Sequence, residues 1–326
     1  MNSPDLILFL QKISNDFLTY IMNGITFFGY EVGITIIICI YIFGVSFHKG
    51  FYILQATFWT FLTTDILKNT FREARPFIQY ESIKNLDFSI MKEVQNGLVS
   101  FSFPSGHASA ITSMMTSLAL TVRKKWFTLV AVISIALVTL SRLYLGVHFP
   151  IDITAGIFLG LSITLLFYIP LKNELSNNSN LPFYFINKLS NLILFILFFV
   201  LLPFILLFVP VYFDKSNLGF LVGLNSGYLL MGFLYRDSKI EYSKGIFKAL
   251  SRILIGISFY LISRFGLKAL FGILIPEKLV EQDYFRITRY FLTGFLTVGL
   301  CVPVFIKLKL AFLKYFNDKD KNEITK

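Results

Sequence analysis

Histidine is scarce in this chain, and two of its three histidines lie in short polar segments at the ends of apolar blocks. His107 closes a Pro-Ser-Gly-His segment, and His148 lies four residues before Asp152. At this spacing in a helix start, a carboxylate accepts a hydrogen bond from one imidazole nitrogen and leaves the other nitrogen nucleophilic. The second segment therefore predicts a nucleophilic histidine oriented by a carboxylate.

The residues around His107 predict an anion site. Pro104 suits the first turn of a helix, where Ser105 and Gly106 would present backbone N–H groups and a hydroxyl at the positive helix end. An arginine side chain nearby can bind two phosphate oxygens with its planar fork. Such a group of cations would repel itself without an anionic ligand, so phosphate fits the site. Three basic residues from three helix ends complete the group: Lys68, Arg75 and Arg142.

The two histidines have complementary roles in this arrangement. His148 attacks phosphorus, and His107, from another helix, protonates the departing oxygen and later helps water to cleave the phosphohistidine. The cations and backbone amides hold the charge that develops on the phosphoryl oxygens. The residue types therefore predict phosphoryl transfer through a histidine.

Membrane helices must position these residues. The 326-residue chain is 55% hydrophobic, 17% aromatic and 15% charged, and its mean hydropathy is +0.69. That composition is too apolar for a surface that faces water. The apolar blocks are about 18 to 25 residues long, which is enough for a helix to cross a hydrocarbon layer of about 30 Å. We therefore predict an all-α, polytopic transmembrane helical bundle.

The apolar blocks predict about nine spans, at residues 25–46, 51–68, 105–122, 126–144, 150–170, 189–211, 216–235, 246–268 and 287–307. Residues 1–24 carry Asp5, Lys12 and Asp16 among apolar residues, which favours an amphipathic helix in the membrane interface. The longest polar connection, from Phe77 to Phe103, follows the second span, and long connections are often functional.

Basic residues at the span ends predict the orientation of the chain. The connections 48–50 and 123–125 are short and basic, so the positive-inside rule places both in the cytoplasm. The N-terminus and the loops after the second and fourth spans then lie outside, and all the candidate residues fall on that face. The formal net charge of +11 belongs to span ends and the tail, so we predict no nucleic-acid partner. Nothing in the sequence sets the oligomeric state.

In order and spacing, the candidate residues resemble the three-block signature of the type-2 phosphatidic acid phosphatase superfamily. Eleven matching positions are far more specific than one short motif. The blocks are Lys68, six residues, Arg75-Pro76; then Pro104-Ser105-Gly106-His107; then Ser141-Arg142, five residues, His148, three residues, Asp152.

The resemblance implies a membrane phosphatase that uses no metal and no other cofactor. It implies an active site on the extracytoplasmic face of the cell (inner or plasma) membrane. His107 would be the general acid, His148 the nucleophile and Asp152 its partner. Phosphate would be bound by Lys68, Arg75, Ser105, Gly106 and Arg142.

The resemblance also suggests a division of the chain. A six-helix phosphatase core would cover residues 25–211, with additional transmembrane helices at 212–311 and a basic cytoplasmic tail at 312–326. Nine spans with an outside N-terminus look similar to the glucose-6-phosphatase, dolichyl-diphosphatase and sphingosine-phosphate phosphatase branches.

The substrate stays open among phosphorylated lipids. Phosphatidate, phosphatidylglycerol phosphate, a polyprenyl diphosphate and a sphingoid phosphate present the same group, and a lipid is favoured because the site opens at the interface. The alternatives are a phosphatase of a soluble sugar phosphate and a non-enzymatic lipid or ion transporter or flippase. Charges midway along the spans, typical of transport paths, are few, and inverted repeats are not evident.

Overall fold

The computed structural model describes residues 4–97, 99–176, 189–208, 215–235, 238–276 and 282–315. The helices in the N-terminal part are α1 (Asp5–Gln11), α2 (Asp16–Thr26), α3 (Glu31–Gly44), α4 (Phe47–Phe71), α5 (Pro76–Gln79), α6 (Phe88–Gln95), α7 (Gly106–Val122), α8 (Lys125–Tyr144) and α9 (Pro150–Ser176). The later elements are α10 (Leu189–Leu206), α11 (Lys215–Leu234), β1 (Ser238–Tyr242), α12 (Ile246–Leu274), α13 (Asp283–Lys307) and β2 (Ala311–Tyr315).

The helical membrane fold is confirmed, but the number of spans is not settled by helix length and composition. Six helices of the described residues are long and apolar enough to cross a membrane, or seven if the bent pair Asp16–Gly29 and Glu31–Gly44 is one span. Over the described residues, eight of the nine predicted spans each coincide with one helix, and the first does not. However, α7 has only 17 residues and α4 carries polar side chains along its length, so nine spans stay a prediction.

Two predicted boundaries were wrong. Residues 1–24 were predicted as one helix, but the structure has two short helices there. The first ends at Gln11, and the second begins after Asn15, whose side chain caps α2 by accepting from the Leu18 N–H. The first predicted span is also not continuous, since a bend of 54° separates the helix that ends at Gly29 from α3. Both α1 and α2 pack on α8, and Ile7 of α1 is fully buried.

The C-terminal part differs from the prediction at the tail. Residues 311–315 form β2, which pairs antiparallel with β1, so the predicted tail begins as a strand. The rest of that tail and the predicted division at residue 211 lie outside the described residues.

The chain divides into two compact units, Met1–Ile38 with Phe51–Asn173 and Cys39–Gly50 with Glu174–Lys326. In the second unit, α11 and α13 approach closely through glycines, and a Cβ on Gly219 would lie 2.7 Å from the Ile287 carbonyl oxygen. Close approach of this kind is typical of helix pairs in membranes, where small residues let the backbones pack closely and van der Waals contacts hold the helices together.

The first unit holds all the candidate residues, and glycines also set its central helix contact. A Cβ on Gly156 of α9 would lie 2.7 Å from the Ser105 carbonyl oxygen, and one on Gly160 would overlap the Ser109 carbonyl oxygen of α7. One turn further on, the Thr164 hydroxyl lies 3.0 Å from that of Ser113. This close contact fixes α7, which carries His107, against α9, which carries Asp152.

Candidate active site

Arg142, near the C-terminal end of α8, is fully buried and paired with an acid that the sequence analysis did not single out. Its Nη1 lies 2.5 Å from Oδ2 of Asp87 and donates to the Thr26 hydroxyl at 2.8 Å. Its Nε and Nη2 are buried with no hydrogen-bond partner among the described residues. The expected mutual repulsion of the cations is therefore relieved partly by Asp87, and one edge of the guanidinium remains available for an anion.

The other two cations are held by backbone carbonyls. Lys68 Nζ donates to the Phe101 oxygen at 2.5 Å. Arg75 donates from Nε to the Ser100 oxygen at 2.8 Å and from Nη1 to the Val147 oxygen at 3.3 Å. Burial and the nearby Arg142 lower the pKa of Arg75 to about 10, which still leaves it charged at neutral pH. Both side chains thus anchor the loops that carry the histidines.

The start of α7 differs in detail from the prediction. The helix begins at Gly106 rather than at Pro104, and the Ser105 hydroxyl accepts from the Ala108 N–H at 3.4 Å as the N-cap. The Ser105 N–H donates to the Asp152 backbone oxygen at 3.0 Å, so it is occupied within the fold. The amides of Gly106 and His107 form the positive end of α7 instead.

His148, Asp152 and a third residue form a buried relay. Nδ1 of His148 lies 3.5 Å from Oδ2 of Asp152, which is a longer approach than a good hydrogen bond. The Ser102 hydroxyl donates to the same oxygen at 2.5 Å and lies 3.4 Å from Nδ1. The Phe149 N–H also donates to it at 2.8 Å. Asp152 is thus fixed by two donors while it faces His148, and Nε2 is the ring nitrogen turned away from it.

The electrostatic surroundings keep His148 neutral. Burial first, and then the neighbouring cations, hold its pKa well below the ordinary value. A neutral imidazole is the form that attacks phosphorus. The charged and titratable groups around it come from α4, α7, α8, α9 and the α4–α5 connection: Lys68, His107, Arg142, Asp152 and Arg75.

His107 lies at the first turn of α7 beneath the N-terminal segment, which is defined here as residues 4–30. A Cβ added at Gly29 would lie 2.8 Å from its Cδ2, and the Tyr30 ring meets it edge to face with centroids 4.3 Å apart. Its Nε2 is buried and has no hydrogen-bond partner among the described residues. The atom that would carry the acidic proton is therefore shielded from solvent.

The structure brings all eight predicted site residues into one unit and adds others that the sequence analysis missed. Tyr30 donates to both oxygens of Asp87, at 2.9 and 3.2 Å. Asp87 also caps α6 by accepting from the N–H groups of Ser89 and Ile90. One signal could have revealed Asp87, since it is a carboxylate in the loop predicted to face the three cations. Thr26 and Ser102 carry no comparable signal.

Comparison with known proteins now assigns the family. A family model described as the PAP2 superfamily matches residues 49–175, and one described as the transmembrane extension of PAP2 superfamily phosphatases matches residues 215–312. Phosphatidylglycerophosphatase B of Bacillus subtilis is 30% identical over 170 residues, which are 48% of this chain and 75% of that relative. The chain belongs to the PAP2 superfamily. The type-2 phosphatidic acid phosphatase resemblance is thus confirmed, and with it a multi-pass membrane protein of a phosphatase family.

Two further relatives match parts of this PAP2 superfamily member. An undecaprenyl-diphosphatase of Sulfolobus acidocaldarius is 42% identical over 66 residues, which are 20% of this chain, and the chain spans only 32% of that relative. A crystal structure of a PAP2-type phosphatidylglycerolphosphate phosphatase from Bacillus subtilis has 25% identity and a TM-score of 0.42, covering 53% of this chain and 86% of that one.

Proposed function

We propose that this protein hydrolyses the phosphate of a lipid through a phosphohistidine formed on His148. The observation that carries the proposal is that three buried polar atoms of the candidate site have no hydrogen-bond partner among the described residues, namely Nε and Nη2 of Arg142 and Nε2 of His107. Burial of such atoms is costly unless a ligand satisfies them. A phosphate group accepts hydrogen bonds from both residues and compensates the cations.

In the first step, Nε2 of His148 attacks phosphorus and the bond between phosphorus and the leaving oxygen breaks. His107, an imidazolium while the phosphate anion is bound, gives its Nε2 proton to that oxygen and becomes neutral, so the lipid departs as an alcohol or, from a diphosphate, as a monophosphate. Asp152 and Ser102 hold Nδ1 as the protonated nitrogen, which stabilises the charge that the ring gains. Arg142 and the amides at the start of α7 stabilise the phosphoryl oxygens.

In the second step, water replaces the lipid next to phosphorus. His107, now without its proton, takes one from water while the water oxygen attacks and the phosphorus–nitrogen bond breaks. Inorganic phosphate leaves, His148 regains its neutral form, and His107 is again protonated. The sum is the consumption of one water for each phosphate released, and the residues named here need no further reactant.

A lipid substrate follows from the position of the site. The candidate residues lie at helix ends and connections of a membrane protein, where a headgroup reaches them while its chains stay in the bilayer. The names of the relatives point to phosphatidylglycerol phosphate and undecaprenyl diphosphate as the first substrates to test. The basic connections 48–50 and 123–125 support an extracytoplasmic site in the cell membrane.

The test is phosphate release by the full chain, purified in detergent, from phosphatidate, phosphatidylglycerol phosphate, undecaprenyl diphosphate and sphingosine phosphate, with and without EDTA. We expect activity that survives EDTA, vanishes in His148→Ala and persists in His48→Ala. His48 is the matched control because it is a histidine of the second unit, where its Nδ1 lies 3.3 Å from the Tyr228 hydroxyl. Hydrolysis by His148→Ala at the wild-type rate would refute the assignment of the nucleophile.

A further inference from the structure

A buried acidic group outside the three signature blocks contacts the phosphate-binding machinery. Asp87 lies in the connection between α5 and α6, is fully buried, and pairs with Arg142 through Oδ2 alone. Its Oδ1 accepts from the backbone N–H groups of Ser89 and Ile90 at 2.9 and 3.0 Å. The two carboxylate oxygens therefore have separate tasks, one in capping α6 and one in holding the guanidinium.

Two residues of the N-terminal segment complete the attachment. The Thr26 hydroxyl accepts from Nη1 of Arg142 at 2.8 Å, the same nitrogen that Asp87 holds. The Tyr30 hydroxyl donates to Asp87 while its ring packs on His107. Nη1 thus has two partners on one side, and this leaves the Nε–Nη2 edge as the side that can bind an anion.

The charge state of Asp87 agrees with this role. Burial alone would raise its pKa, but Arg142, the Ile90 N–H and the Tyr30 hydroxyl together hold the pKa below its ordinary value. Asp87 is therefore a carboxylate at neutral pH and binds Arg142 as an ion pair. A buried pair of this kind adds little stability compared with apolar packing, but it fixes one geometry.

We propose that Asp87, with Thr26 and Tyr30, positions Arg142 so that its Nε–Nη2 edge faces the phosphate of the substrate. This inference rests on the proposed function and adds to it three positioning residues that lie outside the signature. None of the three touches phosphate. They act by orienting Arg142. They determine how well its Nε–Nη2 edge is aligned with the phosphoryl oxygens in the five-coordinate transition state.

The decisive variant is Asp87→Asn. An asparagine keeps the oxygen that caps α6, but its amide group would set N–H donors against Nη1 of Arg142 and turn the guanidinium away. We expect kcat/KM to fall about tenfold to a hundredfold, and the dissociation constant of orthovanadate, a phosphate mimic, to rise about tenfold. Glu81→Gln, which removes an exposed carboxylate from the same loop, should change neither value by more than about twofold.

A smaller pair of variants tests the Thr26 contact without a change of charge. Thr26→Val removes the hydroxyl at nearly constant volume, whereas Thr26→Ser keeps it. We expect kcat/KM to fall about threefold to tenfold in Thr26→Val and to remain near the wild-type value in Thr26→Ser. A loss in both variants, or in neither, would contradict a role for this hydroxyl.

The double variant Asp87→Asn with Arg142→Met separates positioning from folding. If Asp87 acts through Arg142, then Asp87→Asn should lower kcat/KM by less than about twofold in the Arg142→Met background. It should also raise the thermal unfolding midpoint there, because it neutralises a carboxylate that has lost its cation. A further tenfold loss in that background would show that Asp87 acts on the fold, and would overturn the inference.

The outcomes also separate this inference from the proposed function. If the wild type hydrolyses phospholipid while Asp87→Asn binds orthovanadate equally well or more tightly, the positioning role fails and the phosphatase stands. If no substrate of the panel is hydrolysed but Asp87→Asn weakens orthovanadate binding, the positioning role stands and the proposed substrate class fails.

Discussion

Replacing Ser102 with alanine removes the hydroxyl that joins Asp152 to His148. That hydroxyl donates to Oδ2 of Asp152 at 2.5 Å and lies 3.4 Å from Nδ1 of His148, and Ser102 is fully buried. Asp152 would keep the Phe149 N–H as a donor. We therefore expect a weakened relay rather than a lost one, with the carboxylate still near the ring but less firmly held.

The size of the effect follows from the bond that is lost. A hydrogen bond to a charged acceptor contributes about 1.5–3 kcal/mol, and 1.36 kcal/mol changes a rate tenfold, so kcat should fall about tenfold to a hundredfold. KM should change little, because the Ser102 hydroxyl contacts Asp152 and His148, and the contact of Ser102 with Lys68 is made by its backbone oxygen, which alanine keeps. A variant that lost only transition-state stabilisation would behave in this way.

The assay is single-turnover phosphate release in detergent, combined with quantification of the acid-labile phosphohistidine. Ser117→Ala is the matched control, since Ser117 is an equally buried serine about three turns along α7. We expect its rate to stay within about twofold of wild type. A Ser102→Ala enzyme with wild-type kcat, or with a raised KM and unchanged kcat, would refute the relay.

Two further predictions concern packing and pH. Gly160→Leu should lower the thermal unfolding midpoint, because the leucine side chain would collide with the Ser109 carbonyl oxygen. The control Gly24→Ala, in α2, has open space around the new methyl group and should leave the midpoint unchanged or raise it. Equal midpoints for the two variants would contradict the close α7–α9 contact. Burial and the cations hold the pKa of His148 down, so kcat/KM should begin to fall on the acid side only below pH 6.5. In Arg75→Gln, which removes one of these cations, this fall should begin at a higher pH. A fall that begins at the same or a lower pH would contradict the electrostatic origin.

The candidate site residues could be proposed from the sequence because the chemistry expected of them depends on local spacing. His148 and Asp152 are four residues apart, and Ser105, Gly106 and His107 follow one another at a helix start. A helix turn brings such residues together whatever the rest of the fold does. Family membership and the helical membrane fold followed from the same spacing and from the apolar blocks.

The residues that support the site were not predicted because their contacts are made between distant parts of the chain. Asp87 is 55 positions from Arg142, and Thr26 is 116 positions away. A single threonine or aspartate between apolar residues has no periodicity that points to a partner. The start of α7 was misplaced for a related reason, since the Ser105 N–H bonds to the backbone of Asp152 and no local pattern reveals that bond.

The cover over His107 has a consequence for how proteins with this signature diverge. Thr26, Gly29 and Tyr30 belong to the N-terminal segment, which lies before the region 49–175 matched by the PAP2 superfamily model. A chain shortened to that region would keep every signature residue yet expose the ring of His107. Exchange of the N-terminal segment could therefore change the space around the leaving group during evolution while the phosphorus chemistry stayed constant. Chimeras that graft this segment between relatives would test whether it sets substrate preference.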